Sequence, residues 1–513
     1  MEPFLLATVL AGRSIIGRTA PHSGGFPVPV SRRSRAIAAL AAAPVILSLA
    51  TPAVARGGPD QHLARKLVKE ASGESAYRHL EAFQKIADAN GGNRAAGTPG
   101  YDASAAYVHG ELERAGYDVS YQDFTFYESK TLRQKLTTGG RELPTAAYQF
   151  SKSTPAGGLT AEVKAARVDD TPGCSLDDYA SGTFTGKIAL VKRGSCTFQE
   201  KEAVAAKAGA AGLIVYNHSG TDPVHGTVGA PENAHVPAAG ISLADGEALA
   251  ARLTRGPVEV TLDVATEALA KKTRNVIAET RTGSPDNVVA LGSHLDSVPA
   301  GPGINDNGSG SAGLLEVALK LAKETKQTRK HPKQLPNKVR FAWWSGEELG
   351  LLGSEHYVKN LTERQKKQIK LYLNFDMIAS PNAAQLVYDG DDSDKKGAGP
   401  GPAGSAQIEK LINTYLDQRH VPHEGYDFDG RSDYGPFIAV GIPAGGTYTG
   451  AEEIKTPEQA KKWGGRAGEP FDPNYHGAGD TLRNIDKRYF DLNIDVIAQA
   501  VGTYAVDLSS LRD

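Results

Sequence analysis

The chain has 513 residues, 40% hydrophobic and 23% charged, with a formal net charge of -2 at pH 7. These proportions exclude a disordered polyelectrolyte and supply enough apolar side chains for packed cores. The near-neutral balance argues against a nucleic-acid partner, which would call for a strongly basic surface. Small molecules, peptides and proteins remain as partner classes.

Taken in chain order, Arg32, Arg33 and Arg35 precede an apolar run over 36–50, and Ala53, Val54 and Ala55 follow. A basic start, a short apolar stretch and small residues at A-x-A compose an export signal. The run is short for a membrane span, which takes about 20 residues. A buried N-terminal helix is the alternative. Residues 1–55 are expected to be removed, by an export route the sequence leaves open. The mature protein is then expected to be secreted, off the membrane and monomeric. Export also bears on Cys174 and Cys196, the two cysteines of the chain. In an oxidising compartment they are expected to form a disulfide, with two isolated thiols as the alternative.

Residues 61–89 carry Leu63, Leu67, Leu80, Phe83 and Ile86 at helical spacing. After a Gly/Pro break the spacing predicts a helix over 101–115, then a strand over 119–127. Residues 56–131 thus read as the first part of an α/β unit. Over 132–268 the texture changes to short apolar strands at 187–192 and 212–216, with a helix over 198–208. The runs Gly186-Lys-Ile-Ala-Leu-Val-Lys-Arg-Gly-Ser-Cys-Thr-Phe198 and Ala208-Gly-Ala-Ala-Gly-Leu-Ile-Val-Tyr-Asn217 resemble the protease-associated domain. The resemblance implies an inserted mixed α/β unit that serves as a lid or docking surface and carries no catalytic residue.

From 269 to 513, apolar runs at 287–291, 338–343 and 370–375 alternate with helical segments such as 314–323. That order predicts an α/β fold with a mostly parallel central sheet and helices on both faces. Sites in such sheets collect in the loops beyond the carboxyl ends of the strands. There stand Gly292-Ser-His294-Leu-Asp296, Asn305-Asp306-Asn307-Gly308, Ser345-Gly346-Glu347-Glu348, Asn374-Phe375-Asp376 and Asn474-Tyr475-His476, with Asp480 beyond. Each fragment alone is ordinary: a hydrogen-bonded His–Asp pair, a solvated Glu pair, a helix cap. Together they bring two imidazoles and three carboxylates to successive strand ends, the donor set of an open catalytic site for a divalent metal such as zinc.

The set resembles the co-catalytic zinc aminopeptidases, the family of secreted bacterial leucyl aminopeptidases and vacuolar aminopeptidase Y. The resemblance implies two zinc ions: His294 and Asp376 on one, Glu348 and His476 on the other, Asp306 bridging through a cis Asp306–Asn307 peptide. It makes Glu347 the general base, Asp296 the carboxylate that orients His294, and Tyr475 a catalytic donor to the oxyanion. Arg431 and Tyr448 fall in segments that line the substrate pocket. Substrates would be peptides and proteins with a free N-terminus, favouring apolar residues such as Leu. Calcium occurs in some relatives and cannot be assigned to residues here. Relatives with a disulfide beside the last histidine differ from this chain, which has Asn474 and Gly479 there. The rivals are a two-zinc carboxypeptidase or dipeptidase, a single-zinc glutaminyl cyclase, and a non-catalytic receptor-like module.

Overall fold

The computed structural model describes residues 61–397 and 399–512; the expected export signal at 1–55 lies outside them. The apolar runs fold into adjacent strands because both of their faces find cover. In Ser284–His294, Val289 and Leu291 face one core while Val288 and Ala290 face another. Phe341 and Trp343 divide from Ala342 and Trp344 in the same way on the neighbouring Asn337–Trp344. A period of two with both phases apolar marks a strand buried on both faces.

Strands Glu424–Tyr426, Leu386–Tyr388, Ala444–Tyr448, Ile369–Phe375, Ser284–His294, Asn337–Trp344 and Glu259–Glu279 lie side by side in that order. The pairings from Ala444–Tyr448 through to Asn337–Trp344 are parallel. Antiparallel pairings flank them, Leu386–Tyr388 on one side and Glu259–Glu279 on the other. One face is covered by helices Gly73–Ala89, Pro99–Ala115, Gly308–Thr325 and Lys487–Tyr504, which contribute Phe83, Val108, Leu315 and Ile497 to the larger core. Tyr357 of Leu352–Lys359 and Phe437 of Gly435–Ala439 cover the other.

Two elements differ from the sequence reading. The helix expected over 61–89 is two helices, His62–Glu70 and Gly73–Ala89. Ser72 is extended between them and accepts the Ser75 N–H, a side-chain cap that starts the second helix. The strand expected over 119–127 runs on as Asp118–Thr138, paired antiparallel with Glu259–Glu279 along nearly its whole length. Ladder hydrogen bonds, not burial, hold its polar middle, so the apolar alternation fades while the strand continues.

The limits expected at 131/132 and 268/269 fall within this ribbon, whose register shifts between Thr131 and Arg133. Between its arms, strands Leu159–Ala165, Ile188–Lys192, Gly212–Tyr216 and Ala238–Ile241 pair in parallel. Phe198–Lys207 and Leu243–Leu253 are the helices of this segment. It has two cores of its own, one around Leu190 and Ile214, the other around Val191 and Val215. Cys174 and Cys196 are joined in a disulfide, closing a 22-residue separation.

Candidate active site

Strand register assembles the site. Trp344 pairs with His294 and Asn374 with Gly292. Asp376, two residues past Asn374, therefore comes level with His294. Glu347 and Glu348 follow Trp344 in the 3-10 turn Glu347–Leu349, entered through Gly346 at φ 74°, a left-handed conformation that glycine adopts without a steric penalty. Asp306 comes from the loop before helix Gly308–Thr325, and its bond to Asn307 is cis. The Asn307 side chain fixes this corner: its oxygen accepts from Gly310 N and Met377 N, and its amide donates to Ser293 Oγ and the Phe375 carbonyl. Asn307 thus ties together the segments bearing His294, Asp306 and Asp376.

His294 is buried, and its Nε2 lies 3.3 Å from Asp306 Oδ1 and 3.3 Å from Asp376 Oδ1. His476 Nε2 lies 3.2 Å from Asp306 Oδ2 and 2.9 Å from Glu348 Oε2. The two oxygens of Asp306 are thereby divided between the two imidazoles. Glu347 Oε2 stands farther off, 3.8 Å from His294 Nε2. Asp376 Oδ1 and Glu348 Oε1 are buried without a hydrogen-bond partner. These spacings fit a shared cation: donors on tetrahedral zinc, with bonds near 2.1 Å, are separated by roughly 3.4 Å along the tetrahedron's edge. Three carboxylates and two imidazoles, with buried oxygens left over, supply that chemistry.

The charges are tightly interdependent. Burial alone would lower the His294 pKa, but Asp376 and Glu347 raise it well above its ordinary value. Burial also opposes protonation of His476, yet Asp306 and Glu348 bring it up to about 10. Burial and then Asp306 push Glu348 up to about 7. For Glu347, burial outweighs the pull of His294 and, with Asp376 and Glu348, holds the carboxyl well above the usual range.

The sequence-predicted Asp296 stands beneath His294, with both its carbonyl and its carboxylate facing Nδ1. Its backbone carbonyl, 3.2 Å from Nδ1, is nearer than its carboxylate at 3.7 Å. The carboxylate also accepts from the Glu347 backbone N–H at 3.3 Å. Tyr475 stacks on His476 with ring centroids 3.8 Å apart, and its hydroxyl accepts from Arg431 Nη2 at 3.2 Å. An open cleft joins Asp306, Glu347, Asp376, Tyr475 and His476 to Met377, Tyr388, Tyr426, Tyr448 and Arg431. All the predicted metal donors, the predicted base and both pocket residues are therefore gathered in one place.

Some contributors had no role in the sequence reading. Ser432 Oγ donates to Asp376 Oδ2 at 2.6 Å, and Ser432 sits within the singled-out Arg431 segment. Asp480 accepts the backbone N–H groups of Asn305 and Asp306 at 2.8 and 2.9 Å; its spacing four residues past His476 was the available signal. Arg94, wholly buried, donates to the carbonyls of Leu295, Pro302 and Gly303 and so braces the loop leading to Asp306. A lone arginine in a Gly/Pro break gave no signal of this.

A sheet that carries histidine and carboxylate donors at its carboxyl edge, beside a cleft lined by tyrosines, is the architecture of a zinc-dependent aminopeptidase. Comparison with known proteins agrees. Residues 275–501 match peptidase family M28, and residues 159–249 match the PA domain. The chain belongs to family M28. It is 44% identical to a probable lipoprotein aminopeptidase of Mycobacterium tuberculosis, over 89% of each chain. It is 45% identical to a probable leucine aminopeptidase 2 of Arthroderma benhamiae, over 84% of this chain and 83% of the other. Among solved structures it resembles an aminopeptidase from Aneurinibacillus sp. strain AM-1, with TM-score 0.64, 28% identity, and 85% and 95% of the two chains covered. A zinc aminopeptidase from Bacillus subtilis aligns with TM-score 0.53 and 27% identity, over 84% and 94%. The chain is thus a metallo-aminopeptidase acting on peptide substrates.

Proposed function

We propose that this aminopeptidase works with two zinc ions, one held by His294 and Asp376, the other by Glu348 and His476, with Asp306 shared. The observation that carries this is the division of the Asp306 oxygens, 3.3 Å from one imidazole and 3.2 Å from the other. Zinc, when bound, supplies Lewis acidity that polarises the scissile carbonyl and acidifies a water. Glu347, set back from the imidazoles at 3.8 Å from His294 Nε2, takes the proton of the attacking water and returns it to the leaving amine. The Asp296 carboxylate holds the Glu347 backbone, and Tyr475 donates its hydroxyl proton to the oxyanion. Met377, Tyr388, Tyr426 and Tyr448 receive the side chain of the N-terminal residue, favouring apolar ones such as Leu.

The mature chain works outside the cell as a monomer, with residues 132–268 as the inserted unit. The disulfide supports that placement. A leucine anilide with zinc analysis tests the assignment. Hydrolysis, two zinc per chain and loss of turnover when the substrate amine is acetylated are expected. Equal rates on free and blocked substrates, or one zinc at full activity, would overturn it.

A further inference from the structure

Arg431 Nη2 reaches two acceptors at once, Glu452 Oε1 at 2.9 Å and the Tyr475 hydroxyl oxygen at 3.2 Å. We propose that Glu452, acting through Arg431, is a positioning residue that aims the Tyr475 hydroxyl proton into the substrate cleft. This rests on the reading of Tyr475 as oxyanion donor given above.

A phenol hydroxyl carries one proton. With an arginine N–H donated to its oxygen, that proton must point away from Arg431. Among the described residues no side chain or carbonyl accepts it. The open direction is the cleft that Tyr475 shares with Asp306, Glu347 and His476. Stacking on His476 fixes the ring, so the remaining freedom is the torsion of the hydroxyl.

Arg431 can impose that torsion only if its own planar fork is held. Its Nη2 donates to Tyr475 and is ion-paired with Glu452 Oε1 at 2.9 Å, and its backbone N–H donates to Asp429 Oδ1 at 2.9 Å. Glu452 is in turn anchored through the preceding Ala451, whose carbonyl accepts from Asp472 N at 2.7 Å in the loop leading to Tyr475. The arginine and glutamate side chains are 47% and 39% exposed, and such pairs add little to stability. What this pair supplies is direction. It also separates two roles for Arg431, since direct contact with substrate would act on binding.

The experiment compares kcat and KM on a leucine anilide for wild type, Glu452→Ala, Tyr475→Phe and the double variant, with zinc content and melting temperature measured for each. Tyr475→Phe should lower kcat by about 10²-fold, as loss of an oxyanion donor does. Glu452→Ala should lower kcat by about fivefold, the effect of one modest hydrogen bond, leaving KM, zinc and melting unchanged. In the Tyr475→Phe background it should have no effect. Glu452→Gln, which keeps an oxygen for Arg431, should restore most of the rate. Equal losses in both backgrounds, or a loss confined to KM, would overturn the proposal alone. Near-normal kcat for Tyr475→Phe would overturn the role of Tyr475 and the proposal with it.

Discussion

Glu348 Oε2 lies 2.9 Å from His476 Nε2, whereas Glu347 Oε2 stays 3.8 Å from His294 Nε2 and its backbone N–H is held by Asp296. Neighbours of identical chemistry thus leave one 3-10 turn toward different partners. Glu348→Gln should cost zinc and activity together, because an amide is a poor substitute for a zinc-binding carboxylate. Glu347→Gln should keep its metals and lose about 10²–10⁴ in kcat, with KM little changed. Zinc per chain and steady-state kinetics on both variants check this; a Glu347→Gln enzyme that sheds zinc would exchange the two assignments. At this scale the sequence was legible wherever a donor residue ended a strand. Asn305, Asn307 and Arg94 were not legible, because they act by hydrogen bonds to backbone groups far away in the chain. Such bonds leave no periodicity, and any polar residue in a loop has the same appearance.

Elements were legible where burial imposes a period. The central strands are apolar in both phases and were read within a few residues of their ends. The helix Phe198–Lys207 was read too, but its buried side was not, since Lys201 and Glu202 lie on it. Glu202 accepts His235 N at 2.6 Å and Val236 N at 2.5 Å. Lys201, with no exposed surface, donates to the Pro172 carbonyl and lies 3.5 Å from Cys174 Sγ. Burial pushes its pKa down from 10.5 to about 8, against the pull of Asp178. Between those two values the unfolded chain holds a proton that the folded chain lacks. Stability should therefore rise with pH across that window, by up to about 1.4 kcal/mol per pH unit. Below pH 8 both states are protonated and the Lys201 contribution is flat. Lys201→Met should remove this component, so melting curves of the two proteins from pH 7 to 10.5 should diverge above pH 8. Parallel curves would show that Lys201 keeps its charge.

The whole molecule combines two kinds of reinforcement in separate cores. The larger core around Phe83, Leu315 and Phe375 belongs to the sheet that bears the site. The cores around Ile214 and Val215 belong to the segment closed by Cys174–Cys196. Among the described residues, only the ribbon of Asp118–Thr138 and Glu259–Glu279 runs through both regions as continuous strands. Metal should stabilise the first region alone, since all the proposed donors, from His294 to His476, lie in it. At a thousandfold excess over Kd, a ligand specific to the folded state adds about 4 kcal/mol, which in a unit of this size corresponds to a melting shift on the order of 10 °C. Stripping zinc also leaves Asp306, Glu347, Glu348 and Asp376 packed together without a neutralising cation. The disulfide should stabilise the second region alone, by roughly 3 kcal/mol for a loop of this length on the chain-entropy account. Calorimetry of the full chain should then resolve two transitions. A chelator should lower one and leave the other in place. Reduction by a phosphine, which spares zinc, should lower the other. A single transition that moves under both treatments would mean that the ribbon couples the regions into one cooperative unit. In that case the insertion would transmit stability to the catalytic sheet, and cutting the disulfide would weaken zinc retention as well.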